Sequence, residues 1–292
     1  MALRKIGEGL YLYPGSPSTM VKIHDGKAVL VDPGQGSGRH KDLKREMRKL
    51  GLEIRAQLTT HGHADHVRVA PKIEAPLFAH RFEFSIVESP LNREILTFGS
   101  KAPRGFLVSQ FEGEVRVHGI FEWGDVLFGL KAIKLSGHSP GMTGFLDEEN
   151  AVLYAGDSFF GERVLQSVGI PYLVEPELFK DSIKQLQNYA DEGLLLIPSH
   201  GKAVRGDEAG KLLEFNLHRL EEAETMILEL LKSPMSIDEL AYRLSEYFDV
   251  SPTPQILALN LVPLRAFIAK LYNEEKIEAV MDRGLKWKLR GD

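Results

Sequence analysis

Residues 61–66 read His-Gly-His-Ala-Asp-His, which puts three imidazoles and a carboxylate within six positions. On an extended backbone residues two apart face the same way, so His61 and His63 can grip one cation together. Asp65 and His66 lie past the bend and can turn toward a second. Imidazole nitrogens suit zinc and iron, and a carboxylate brings negative charge that helps hold a divalent ion. Two such ions side by side would do hydrolysis, because they lower the pKa of a bridging water toward neutrality and supply hydroxide for attack on a carbonyl or phosphorus.

A centre of that kind needs about three protein ligands per ion, room for water, and often a shared carboxylate. Ser136-Gly137-His138-Ser139-Pro140-Gly141 offers a third histidine to the first ion, Gly156-Asp157 a bridging carboxylate, and Ser199-His200-Gly201 a histidine that completes the second. Asp65 and Asp157 are thus candidate catalytic residues as well as ligands, since Asp65 or a metal-bound water can carry the proton to a leaving group. Asp32, in Val31-Asp32-Pro33-Gly34, is placed to orient a ligand histidine or simply to make a turn. His24, His40, His80, His118 and His218 lack companions at ligand spacing and read as solvated or hydrogen-bonded residues.

The elements that must aim these side chains are strands. Val21–Ile23 and Ala28–Val31 are predicted to pair across the turn 24–27, and Ile54–Thr60 runs into His61. Leu130–Leu135 leads to His138, Ala151–Ala155 to Asp157, and the apolar Leu194–Ile197 to His200. Ligands at strand ends beside glycines are held by rigid elements while the backbone crowds the site. Helices are expected over His40–Leu50 and Phe179–Asp191. Between residues 81 and 128, Phe82, Phe84, Phe98, Phe106, Phe111, Phe121 and Trp123 are scattered among glycines, prolines and charges, which reads as an irregular insertion that packs into the core or walls a pocket.

The pattern changes near Gly206. Helices are predicted over Asp207–Lys232, over Ile237–Phe248 behind a Ser236/Glu239 capping box, and over Ile256–Leu271, where Pro263 should kink or split the helix. Two strands follow, Ile277–Met281 and Leu285–Leu289. Three helices and a hairpin are the order of a winged helix. A chain of 292 residues accordingly divides into a catalytic domain at 1–205 and a small domain at 206–292 docked on it.

Composition narrows the chemistry. Cysteine is absent, so disulfides, thiolate nucleophiles and thiolate ligands are excluded, and any metal must sit on His and carboxylates. The formal charge of -5 gives no global pull toward nucleic acid or anionic membrane. No signal-like apolar run follows the N-terminus, and no run of about 18 apolar residues occurs. A cytoplasmic location and no membrane partner are therefore expected.

The succession His-x-His-x-Asp-His, Gly-His-x-Pro-Gly, Gly-Asp and Ser-His-Gly, with Val-Asp-Pro-Gly upstream, resembles the metallo-β-lactamase superfamily. The resemblance implies an α/β (α+β) fold, a four-layer αββα sandwich, with His61, His63 and His138 on one ion, Asp65, His66 and His200 on the other, and Asp157 between. It implies two divalent ions, zinc first, with iron or manganese as alternatives. Asp157 stands where antibiotic-cleaving members use Cys, which disfavours antibiotic hydrolysis. Residues 1–205 are similar to glyoxalase II-like thioesterases. The tail, with Asn216-Leu217-His218-Arg219 and Glu221-Glu222, is similar to the subgroup that includes beta-lactamase-like protein 2, an endoribonuclease. Met142, where a second His is common, and Val67-Arg68-Val69 depart from the pattern and alter the pocket lining without removing a ligand.

Three functions follow in order: a hydrolase of an ester, thioester or lactone-like small molecule; a single-stranded RNA endoribonuclease; and a ligand-sensing winged-helix binding protein. From Arg219 onward ten basic residues face thirteen acidic ones, unlike a typical DNA reader, and Ile256–Leu271 is mostly apolar. Only Lys286, Lys288 and Arg290 form a basic face, on the last strand. A small-molecule substrate is thus expected ahead of RNA.

Overall fold

The structure, a computed structural model, describes residues 2–103 and 114–291. Phe106 and Phe111 lie outside the described residues. The first sheet begins with β1 (Arg4–Gly7), β2 (Leu10–Tyr13), β3 (Thr19–His24) and β4 (Lys27–Val31), all antiparallel neighbours. Asp25 and Gly26 take positive φ, 50° and 69°, as the two-residue turn between β3 and β4 requires. β5 (Ile54–Leu58), β6 (Leu77–His80) and β7 (Gly119–Phe121) then add in parallel, giving seven strands in chain order. The second sheet holds β8 (Val126–Leu127), β9 (Leu130–Lys134), β10 (Thr143–Asp147), β11 (Val152–Gly156) and β12 (Leu195–Pro198), ordered β12-β11-β10-β9-β8.

Strand alternation sorts the side chains into layers. Val29 and Val31 of β4, Ala56 and Leu58 of β5, Val152 and Tyr154 of β11 and Ile197 of β12 meet between the two sheets. Their neighbours face outward. Ala28 and Leu30 pack under Leu43 and Met47 of α1 (Arg39–Lys49). Leu153, Ala155 and Leu196 pack under Phe179, Ile183 and Leu186 of α6 (Pro176–Asp191). Both faces of both sheets are covered, which is the αββα sandwich. Between the sheets Lys22 Nζ donates to Asp147 Oδ2 at 2.7 Å, a buried pair that would leave a costly unpaired charge if either partner were removed.

Every strand expected from the sequence is present within two residues, and the structure adds short ones. β1, β2, β6, β7 and β8 have four residues or fewer, too few to show a period, and β10 (Thr143-Gly144-Phe145-Leu146-Asp147) has neither an apolar run nor alternation. The stretch expected to be irregular holds α3 (Phe84–Glu88) and α4 (Pro90–Phe98). The start of α4 is marked by Ser89, whose hydroxyl accepts from Asn92 N, with Pro90 as its first residue. Arg93, wholly buried, donates through Nη1 to the carbonyls of Ile86 and Val87 and so ties α4 to α3. Phe121 joins the core, whereas Phe82 is exposed. α2 (Ala64–Val67) and α5 (Glu162–Val168) are likewise additions to the expected elements.

The last third of the chain is α7 (Asp207–Leu230), α8 (Ile237–Tyr247), α9 (Pro254–Asn273) and the hairpin β13 (Ile277–Met281) with β14 (Leu285–Leu289). The capping box is present: Ser236 Oγ accepts from Glu239 N, and Glu239 accepts from Ser236 N. Pro263 does not split α9, which runs unbroken for 20 residues. It only withholds the N–H that the Leu259 carbonyl would accept from. By length and composition α9 could cross a membrane, which the sequence expectation did not allow for. Its Leu264, Phe267, Ile268 and Leu271 are spent instead in one apolar cluster with α6, α7 and the outer face of the second sheet. The tail therefore shares its core with the sandwich.

Candidate metal centre

The ligand candidates sit on loops that the strands launch from one edge of the sandwich. β5 delivers Thr59-Thr60-His61, α2 starts directly after His63, β11 ends at Gly156-Asp157 and β12 runs into Ser199-His200. Two glycines are required by contact. A Cβ on Gly137 would run into the backbone of Phe179, and one on Gly156 into Met142 and Thr60; both take positive φ, 125° and 60°. His138 and Asp157 reach the site because the residue before each has no side chain. Met142 fills the space beside Gly156.

The structure brings all seven candidates together. His63 Nδ1 lies 2.9 Å from His61 Nε2 and 3.0 Å from His138 Nε2. Asp157 stands beside them, its Oδ2 3.5 Å from His138 Nε2 and 4.0 Å from His61 Nε2. On its other flank Asp157 Oδ1 is 3.5 Å from His66 Nε2, and Oδ2 is 3.5 Å from His200 Nε2. Asp65 Oδ2 closes the second group, 3.3 Å from His200 Nε2 and 3.8 Å from His66 Nε2. His61, His63, His138 and Asp157 thus form one cluster, Asp65, His66 and His200 the other, and Asp157 touches both. Zinc–nitrogen bonds of about 2.0–2.1 Å in a tetrahedron would set ligand nitrogens roughly 3.3 Å apart, close to the spacing seen.

Four of the five imidazoles turn Nε2 inward and are held from behind through Nδ1. His61 Nδ1 is 3.0 Å from Thr60 Oγ1, His66 Nδ1 2.7 Å from Asp32 Oδ2, His138 Nδ1 2.9 Å from the Tyr172 carbonyl, and His200 Nδ1 2.7 Å from Ser16 Oγ. Such outer partners fix ring orientation and tautomer. His63 alone turns Nδ1 inward. Among the described residues, His66 Nε2 and Asp157 Oδ1 are buried without a hydrogen-bond partner, as expected of atoms meant for a cation.

Asp32 is more than a turn residue. It is fully buried at φ 52°, accepts from Thr60 N and Thr60 Oγ1 at 2.8 Å each and from Thr59 Oγ1 at 3.2 Å, and spends its remaining capacity on His66. Glu83 is a residue that the sequence reading missed. Also fully buried, it accepts from Gly62 N (2.8 Å), Ser139 Oγ (2.7 Å) and Gly141 N (2.6 Å), so one carboxylate staples the His61–His63 loop to the His138 loop. A single Glu among scattered aromatics carries no spacing signal that could have marked it.

Electrostatics divide the two clusters. Burial, then crowding by neighbouring histidines, pushes His61 far below its usual range, and burial beside His138 pushes His63 to about 3. Burial also lowers His138. All three shifts favour the neutral ring, the form whose lone pair a cation can take. For His66 burial opposes the charge, but Asp32, Asp157 and Asp65 outweigh it and raise the ring; Asp157 and Asp65 likewise raise His200 against its burial. Asp157 and Asp65 are held below the carboxylate range, chiefly by His200 and His66, although burial opposes this.

A cavity of about 210 Å³ opens over the cradle. Its floor is His63, Asp65, His138, Asp157 and His200; its wall is Phe160, Val164, Val168, Ile170, Pro171, Tyr172 and Leu259, with Thr97 and Asn260 as polar points. None of these lining residues is Lys or Arg. Among the described residues of the 81–128 stretch, the wall receives Thr97 rather than an aromatic. His80 is buried and stacks on Trp123 at 4.1 Å between centroids, apart from the cradle, and His218 is exposed and does not line the cavity.

Residues 13–200 match the model of the Metallo-beta-lactamase superfamily. Hydroxyacylglutathione hydrolase GloC of Haemophilus influenzae is 28% identical over 141 residues, 46% of this chain and 61% of its own length. The probable metallo-hydrolase YqgX of Bacillus subtilis is 26% identical over 63% of this chain and 81% of its own. The metallo-beta-lactamase family protein TTHA1429 of Thermus thermophilus superposes with a TM-score of 0.74 at 21% identity, over 98% of this chain and 100% of its own, so the fold likeness extends through the C-terminal helices. TTHA1623, crystallised in a di-iron-bound form, superposes at 0.50 with 24% identity, over 70% of this chain and 98% of its own. The aligned span of residues 13–200 contains every one of the clustered His and Asp residues, and the chain belongs to the metallo-beta-lactamase superfamily.

Proposed function

We propose that this protein is a dinuclear metal-dependent hydrolase of a small ester, thioester or lactone-like molecule. The observation that carries the reading is the joining of a two-cluster His/Asp cradle to an apolar-walled cavity with no Lys or Arg among the described residues that line it. Five imidazoles and two carboxylates without a thiolate suit two divalent ions, zinc first, with iron or manganese as alternatives. When bound, such a pair supplies Lewis acidity and water activated near neutral pH. The chain's own residues do the rest. His61, His63 and His138 would hold one ion and Asp65, His66 and His200 the other, with Asp157 shared. Asp32 and Glu83 fix the rings and loops. Asp65, at the cavity floor, can take the proton destined for the leaving group.

The tail follows the order of a winged helix, and we assign residues 206–292 to a small domain that docks on residues 1–205. Its cations do not favour nucleic acid. Lys286, Lys288 and Arg290 pair with Asp282, Glu278 and Glu275 at 3.2, 2.8 and 3.5 Å, and Lys270 is drawn to Glu224 at 2.6 Å. An RNA reader needs free basic residues along its groove. Assay of the metal-loaded protein on thioesters of both apolar and hydroxylated acids and on single-stranded RNA tests the reading. Thioester turnover lost in His63→Ala is expected; RNA cleavage lost in that variant, with no thioester turnover, would replace it with a nuclease.

A further inference from the structure

The catalytic floor of the cavity accounts for only part of it. Behind His63 and His138 the space continues between α5 and α9, where Val164, Val168, Ile170 and Leu259 supply the wall. The two helices are tied at that point: Asn260 is buried and donates from Nδ2 to the Val168 carbonyl at 3.2 Å. α9 also packs against α4, which brings the buried Thr97 into the lining. A helix from the far end of the chain therefore completes a recess that the superfamily segment, residues 13–200, leaves open.

Size and polarity restrict what can fill the recess. A dry cavity of about 150 Å³ accepts benzene. The 210 Å³ here must also admit the scissile group above the cradle, which leaves room for one ring and its linker. An acetyl group would leave most of the wall uncovered, and a long fatty chain would have to run past it into solvent. A lining of mostly apolar side chains, with Thr97 and Asn260 buried among them, rewards burial of hydrocarbon and penalises a charged acyl group.

We infer that the recess between α5 and α9 is an acyl-group site for a ring-sized apolar acyl moiety, such as arylacetyl, and that Leu259 and Val168 set its length. The assignment rests on the hydrolase reading above. Water adds to the acyl carbon, the acyl–sulfur or acyl–oxygen bond breaks, and the products are the apolar carboxylic acid and the thiol or alcohol, which takes the proton.

The test uses the metal-loaded full chain and N-acetylcysteamine thioesters of acetate, phenylacetate and dodecanoate, so that the leaving group is constant and polar. The kcat/KM for phenylacetyl should exceed that for acetyl and dodecanoyl by ~30-fold or more, within the range that a few buried methylenes can supply. Leu259→Trp, which fills the recess, should collapse the phenylacetyl-to-acetyl ratio at least tenfold; Val168→Phe should do the same if the first variant does not fold. Phenylacetate should bind the wild-type protein in calorimetry and acetate should not. Thioester turnover with no ring preference, or a preference that follows an aryl leaving group instead, overturns the acyl-site assignment alone. Turnover of none of the three thioesters, with phenylacetate still bound, overturns the hydrolase reading and this assignment with it.

Discussion

The floor and the wall of the cavity are built by opposite means. The floor is polar, comes from short motifs at strand ends, and is held by hydrogen bonds two layers deep, from Thr59, Thr60 and Asp32 through the imidazoles to the centre, with Glu83 fastening the loops that carry them. The wall is apolar, comes from helices as far apart in sequence as α4 and α9, and is held by packing plus hydrogen bonds to its backbone, from Asn260 to the Val168 carbonyl and between Asn216 and Phe160. The difference separates two duties. A polar cradle with outer partners fixes chemistry to within fractions of an ångström, whereas an apolar wall fixes only size and can be redrawn without disturbing the reaction.

Substitutions should respect that division. The largest effect belongs to Asp157→Ala, which removes the carboxylate common to both clusters: turnover of a thioester should fall to background and bound metal should drop, measured by steady-state assay and elemental analysis. Next come the residues behind the ligands. Asp32→Asn and Glu83→Gln should each lower metal affinity or activity by roughly 10–100-fold, read by chelator competition. In Glu83→Gln an amide nitrogen replaces one of the two accepting oxygens and meets a donor already in place, so a loss is expected although shape is conserved. If Glu83→Gln leaves metal affinity unchanged, the staple between the His61 and His138 loops is not needed and the cradle is simpler than described.

Wall variants should act on recognition and leave the metal in place. Asn260→Ala removes the tie between α9 and the end of α5 and should cost about 1 kcal/mol in thermal unfolding, with KM rising more than kcat falls. The smallest effect is expected in the packing of the tail. Glu224 on α7 accepts from Lys270 of α9 at 2.6 Å and Lys180 of α6 at 3.1 Å. Burial works against its charge, but these contacts hold its carboxyl below the ordinary value. A carboxyl lowered in the folded state contributes stability that is present above its unfolded pKa and lost as pH falls through its folded one. Wild type should therefore melt higher than Glu224→Gln at pH 7, and the gap should close on acidification.

The same division governs what can be read from residue order. The floor is legible because His61-Gly62-His63-Ala64-Asp65-His66 is dense and because each remaining ligand follows an apolar strand and sits beside glycine. Both sheets' long strands and the helices after Gly206 are legible for a similar reason, since β-alternation and helical period persist over enough residues. The wall is not legible. Val164, Val168 and Leu259 look like any core residues, and only tertiary packing brings α5 to α9. Glu83 is hidden because its partners are two backbone N–H groups and one hydroxyl that lie 21 to 58 residues away. α4 carries a readable start in Ser89-Pro90, but the aromatics around it obscure the period.

The proposed chemistry depends on a cradle for two cations that share Asp157. Metal content of the purified chain after equilibration with zinc and removal of free ion, measured by elemental analysis against protein concentration, tests it most directly. Two ions per chain are predicted for the wild type and fewer than two for Asp157→Ala. A wild-type stoichiometry of one or none, in protein that still turns over its substrate, would contradict it.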